Sequence, residues 1–217
     1  MSNWAMLRIF ETGRDKVEAA LLNQSKMQLV RGYWEALRQD RAIPTRAEID
    51  ARGMANALEN VFLIERIAPG QARFRLAGTH LSELMGMDVR GMPVSSLIEP
   101  NSRARFSELL EASYDVPTVL DLRLEAERSL SNPSLSAHLC ILPLATIPGE
   151  PQIALGCLVS AGNIGRGSRR FAIASVVQEV VRTESIANEL GRGPADNMRM
   201  PDSVSKTGSH LRLVHSR

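Results

Sequence analysis

Aromatic side chains are scarce in this chain, 4% of 217 residues. That excludes a nucleic-acid platform built from stacked rings. Cysteine is scarcer: Cys140 and Cys157 are the two. They form no Cys-x-x-Cys pair and have no metal-type spacing, which argues against a disulfide-stapled secreted scaffold and against a metal module. No apolar run approaches the roughly 18 residues that mark a membrane span. The opening "MSNWAMLRIFETGRDK" is apolar for too short a run, without a small-residue cleavage site, to be a signal peptide. The expectation is a cytoplasmic protein. A charge excess is missing too, because 26 Lys and Arg stand against 24 Asp and Glu. The small surplus lies at residues 191–217, with five Lys/Arg and two Asp, so the rest offers no basic face for nucleic acid. His-Glu-x-x-His, Gly-Lys-Ser/Thr and a nucleophile–base–acid set are all lacking.

What is present is patterned. Residues 1–23 read as a weak helix or an arm, interrupted at Gly13. In "QSKMQLVRGYWEALRQ" (24–39) Met27, Val30, Trp34 and Leu37 recur at steps of three and four, which makes an amphipathic helix. It ends before Pro44, since proline disfavours helix in the residue preceding it. Residues 53–60 add a short helical turn. "VFLIERIA" (61–68) and "ARFRLAGT" (72–79) then flank Pro69-Gly70, the pair that a type II turn wants at its centre. Strand alternation puts Phe74, Leu76 and Gly78 on one face and Arg73 and Arg75 on the other. An arginine in place of Leu122 or Phe74 should therefore wreck the domain, whereas Arg75→Glu should leave folding intact.

Two helices come next, "HLSELMG" and "PNSRARFSELLEASYD", the second with Phe106, Leu109, Leu110 and Ser113 on one face. Three strands follow. In "PTVLDLRLEAE" (117–127), Leu120, Leu122, Leu124 and Ala126 oppose Asp121, Arg123, Glu125 and Glu127. "SLSAHLCILPLA" (134–145) and "QIALGCLVSA" (152–161) flank Pro148-Gly149. A symmetric hairpin there sets Cys140 opposite Cys157, Leu142 opposite Leu155, Leu144 opposite Ile153 and His138 opposite Val159. Leu139, Ile141 and Leu158 then fall to the outer face of the sheet. After "GNIGRG" (162–167), the three- and four-residue spacing of Ile173, Val176, Val180, Thr183, Ala187 and Leu190 predicts a helix over 168–190. Residues 191–217 have the composition of a disordered tail. The order of elements gives an α+β fold, a five-stranded antiparallel sheet with helices on one face and flanking helices at both ends.

Several motifs carry a resemblance. Tyr33 and Trp34 lead into Arg41, Pro44, Arg46, Ile49 and Asp50; the Arg-Leu-Ala-Gly-Thr strand end (75–79) follows; then come Gly86, Met87, Asp88 and Gly91. In this arrangement the chain resembles the mostly single-PAS-domain proteins common in alphaproteobacteria, over roughly residues 26–162. The resemblance implies sheet order 2-1-5-4-3. It also implies a sensory or docking module that is not catalytic and requires no cofactor, with signalling proteins such as kinases or other regulators as partners.

The pocket expected from this reading is lined by Phe74, Leu76, Gly78, His80, Phe106, Leu110, Leu122, His138 and Cys140. His80 has two readings, a haem ligand or polar anchor and a helix-start residue bonded to backbone or solvent. His138 is a polar contact in a pocket or a histidine satisfied by a neighbouring carbonyl. Cys140 and Cys157 are a redox pair or two small buried hydrophobes. The glycine-rich loop 162–167 before a helix is where phosphate sites occur, and it is equally a flexible link. Surplus apolar surface on Met27, Val30, Trp34 and Leu37 points to a homodimer built on this helix and the outer sheet face.

Overall fold

The computed structural model describes residues 3–39, 41–127, 133–147, 150, 152–165 and 167–181. Helix α1 spans Asn3–Arg38, and two 3-10 segments follow, Arg46–Glu48 and Ala51–Asn60. Strands β1 (Val61–Ala68) and β2 (Gln71–Ala77) precede helices α2 (Thr79–Met85) and α3 (Arg103–Asp115). Strands β3 (Thr118–Ala126), β4 (Leu135–Leu144), β5 (Ile153–Gly162) and β6 (Phe171–Val180) complete the chain order. The strands form one antiparallel sheet, β2-β1-β5-β4-β3-β6.

The first five strands take the expected order, with β1 in the interior. Ala68 pairs with Gln71 across Pro69-Gly70, and Gly70 sits at φ 66°, as the third position of a type II turn requires. The β4–β5 register is the expected one: Cys140 faces Cys157, Leu142 faces Leu155, Leu144 faces Ile153 and His138 faces Val159.

α1 begins earlier than the sequence suggested. Gly13 does not break it. A lone glycine costs about 1 kcal/mol against alanine in a helix, and the run "RDKVEAALLN" beyond it is rich in strong helix formers.

The sheet is covered on both faces. On the inner face, Phe62, Ile64, Phe74, Leu122 and Leu139 pack under Leu81 and Leu84 of α2 and Phe106 and Leu110 of α3. On the outer face, Cys140, Leu142, Leu155 and Cys157 pack under Met27, Val30 and Trp34 of α1. This corrects the expected face assignment. Leu139, Ile141 and Leu158 belong to the inner core, because Ile141 and Leu139 pair with Leu120 and Leu122 of β3, and Leu158 pairs with Leu139.

The predicted helix over 168–190 is wrong where it is described. Residues 171–180 are β6, paired to β3 from Ala126↔Phe171 to Thr118↔Val180; residues 182–190, and the tail 191–217, lie outside the described residues. The spacing misled for a definite reason. The β3–β6 register slips between Arg123↔Ser175 and Leu124↔Ile173, so Ala174 is an extra residue. That bulge turns the strand step of two into a step of three between Ile173 and Val176, both of which pack on the inner core. A bulged strand thus imitates helical periodicity. β6 also supplies the physical need that the helix left unmet, covering the open edge of β3.

Candidate functional site

Two open cavities lie on the outer side of the sheet. The first, about 760 Å³, runs between α1 and strands β3, β4 and β5, and includes Asn23, Gln28, Arg31, Asp121, Arg123 and His138. The second, about 580 Å³, lies where the 3-10 segments meet β1, β2 and β5. Met54, Leu63 and Leu155 form its buried floor. Leu58 and Leu76 form its walls, 39% and 53% exposed. Arg46, Asp88 and Arg90 are at its rim.

The expected pocket residues divide among four places. Phe74, Phe106, Leu110 and Leu122 meet in the inner core and line neither cavity. Phe74 stacks edge-on against Phe62, ring centroids 5.4 Å apart. Leu76 does not share the face of Phe74. The β1–β2 register slips between Leu63↔Leu76 and Ile64↔Phe74, so Arg75 is the bulged residue and Leu76 turns to the outer face, at the second cavity. Gly78 lines that cavity too. Its backbone is ordinary extended chain, φ −69°, but a Cβ there would meet the Glu59 carbonyl oxygen at 2.2 Å. Glycine is required at Gly78 by close approach of the 3-10 segment.

His80 sits on α2 with Nε2 3.1 Å from the Ser160 hydroxyl and Nδ1 3.6 Å from the Glu83 carboxylate. It lines neither cavity. Burial holds its pKa below the usual histidine value, against the pull of Glu83. Its neighbours are thus two side chains, Ser160 and Glu83. His138 shares the outer face with Cys140, and it is satisfied by the Asp121 carboxylate rather than by a carbonyl. Cys140 and Cys157 are buried free thiols, and burial pushes each up to about 12. Among the described residues no three His, Cys, Asp or Glu gather as a metal site.

The glycine-rich loop runs into β6, not into a helix, so no helix N-terminus is there to hold a phosphate. Arg169 is buried at its end, donating to the carbonyls of Ile164 at 3.2 Å and Pro133 at 2.7 Å.

The interface expected on α1 is already occupied. Met27, Val30 and Trp34 are buried against the chain's own sheet, and Leu37 is half-buried.

The six-stranded order with helices packed on its inner face meets a sequence match at this point. The family model described as PAS domain matches residues 22–159. The chain belongs to the PAS domain family. No curated protein matches the chain. A PAS domain is a sensory module of signalling proteins, and the α+β fold is the PAS fold with one strand more. The match begins within α1 and stops short of β6. No helix among the described residues is long and apolar enough to cross a membrane.

Sequence reasoning missed the floor of the second cavity. Arg46 was legible in the Arg-x-x-Pro-x-Arg segment, and Met54 and Ala57 of the 3-10 stretch share a buried face at helical spacing, but nothing local in the sequence says that β1, β2 and β5 meet that face.

Proposed function

We propose that this PAS protein is a non-catalytic regulatory module of bacterial signalling, cytoplasmic, acting as a homodimer through protein–protein contacts and tuned by a small ligand. One observation carries the pairing. β6 is the edge of the sheet, and from Ala174 to Val180 it carries a single charged residue, Glu179, with Val177 and Val180 63% and 49% exposed. An edge strand of this length and low charge invites pairing with another strand. A second copy offers the same edge in reverse, so antiparallel self-pairing closes on a two-fold axis. Arg31 of α1 is ion-paired to Glu179 of β6, which links the outer-face helix to that edge. Signalling partners, kinases or other regulators, would read the state of this pair.

Light scattering on the full chain tests the reading. The wild type runs as a dimer at micromolar concentration, and Val177→Lys, a charge set on the edge, runs as a folded monomer. A wild-type monomer, or a dimer indifferent to Val177→Lys, rejects the edge.

A further inference from the structure

The second cavity has the size and lining of a small-molecule site. Its floor is apolar and buried: Met54, Leu63 and Leu155 are 2%, 6% and 0% exposed. Its walls include Leu58 and Leu76, part-exposed apolar side chains that meet at this one cleft. Leu76 is there because of the bulge at Arg75, a device that spends an inner-face position to line the groove. The volume, about 580 Å³, lies within the roughly 300–1,000 Å³ of small-molecule sites.

The rim decides the ligand's chemistry. Arg90 is held by Asp88, Nε to Oδ2 at 2.8 Å, so that pair is self-neutralised. The other rim cation, Arg46, is half-buried. Its guanidinium has no side-chain or carbonyl partner among the described residues, while the neighbouring Glu48 is taken by Arg41. An uncompensated guanidinium beside an apolar cleft matches one charge type, a carboxylate or like monoanion, which it holds by paired hydrogen bonds.

We infer that this groove binds a soluble anionic amphiphile of the fatty-carboxylate class, its chain over Met54, Leu63 and Leu155 and its head group on Arg46. The inference rests on the reading of the protein as a ligand-tuned module and names the ligand class and the place. The cavity is distinct from the inner core, where Phe74, Phe106 and Leu122 are packed together.

The test is calorimetric titration of the full chain with dodecanoate below its micellar concentration, with dodecanol as the uncharged control. Dodecanoate should saturate at one per chain and bind about tenfold tighter than dodecanol, the scale of a hydrogen-bonded charge. Arg46→Gln should erase that preference and leave dodecanol binding unchanged. Leu76→Trp, which fills the groove, should weaken both ligands at least tenfold while circular dichroism stays native. Absence of saturable dodecanoate binding overturns the site, and so does equal binding by wild type and Arg46→Gln or binding that survives Leu76→Trp. Light scattering in parallel separates the two readings. A dimer that ignores dodecanoate overturns only the site, and a monomer that binds it overturns only the pairing.

Discussion

The indole Nε1 of Trp34 donates a hydrogen bond to the Pro143 carbonyl at 2.9 Å, across 109 residues of chain. Proline at position 143 lacks an N–H, and its carbonyl faces α1, so the helix and β4 satisfy each other where the sheet ladder is broken. Trp34 is fully buried. Trp34→Phe should cost about 1 kcal/mol through the orphaned carbonyl, and Trp34→Ala about 3–5 kcal/mol through the cavity. Urea unfolding measures both; equal losses would place the hydrogen bond, not the packing, in charge. A chain starting at residue 44 loses this cover and should expose the outer sheet face to a hydrophobic dye.

Gly156 lies beneath the ring of Phe62, its cross-strand partner. A Cβ at Gly156 would meet the ring at 2.1 Å, and the ring is held edge-on by Phe74. Gly156→Ala should destabilise by about 1–3 kcal/mol, the range of overpacked cores. In a Phe62→Leu background the same change should cost much less. A double-mutant cycle that shows simple additivity would contradict the contact.

Arg75→Glu is expected to leave folding intact, and the tertiary structure adds a cost to that substitution. Glu65 is 5% exposed, and it accepts from Arg75 Nη1 at 3.1 Å and Arg73 Nε at 3.3 Å. Arg75→Glu would set a second carboxylate against a buried one. The expected loss is about 1–2 kcal/mol, discounted because the arginines are half exposed. Leu122→Arg, on the inner face, should prevent folding, since an unpaired charge there costs several kcal/mol. Thermal melts rank the two; an unchanged melt for Leu122→Arg would refute the face assignment.

Stability should fall in two stages on acidification. His80 is held below its ordinary value by burial, so the unfolded chain takes the proton first, and stability present above roughly pH 6.5 is lost as pH falls toward the folded value. Carboxylates act lower. Glu48 is drawn down to about 2 by its bonds from Arg41 and then Thr45. Glu111 is drawn down by the Gly70 amide and then Arg66. Their contribution is whole above roughly pH 4.3 and is lost progressively as pH falls from there through the lower folded values. Denaturant midpoints against pH should show both stages, and His80→Gln should remove only the upper one. A midpoint flat between pH 7 and 5 in the wild type would rule out the His80 stage.

The thiols of Cys140 and Cys157, pushed up to about 12 under α1, should be inert in the native protein, because the thiolate is the reacting form. Labelling with a chromogenic disulfide should occur only through unfolding, at a rate that rises with urea. Rapid labelling in native buffer would mean the outer face opens independently of the fold.

Local pattern was enough for much of this molecule. Alternation in "TVLDLRLEA" assigned the faces of β3, and Pro69-Gly70 placed the first hairpin. Matched apolar positions fixed the β4–β5 register, because a slip of one residue would send every side chain to the wrong face. Those are statements about neighbours in sequence or about two strands joined by one turn. The bulges at Arg75 and Ala174 needed the partner strand to define which residue is extra, and each reassigned what followed: Leu76 to the outer groove, and 171–180 from helix to strand. Which face α1 covers was also decided in three dimensions, by the Trp34–Pro143 bond and the Cys140–Cys157 surface it fits. The groove beneath Arg46 exists only where the 3-10 segment, β1, β2 and β5 converge, and no window of sequence contains that convergence.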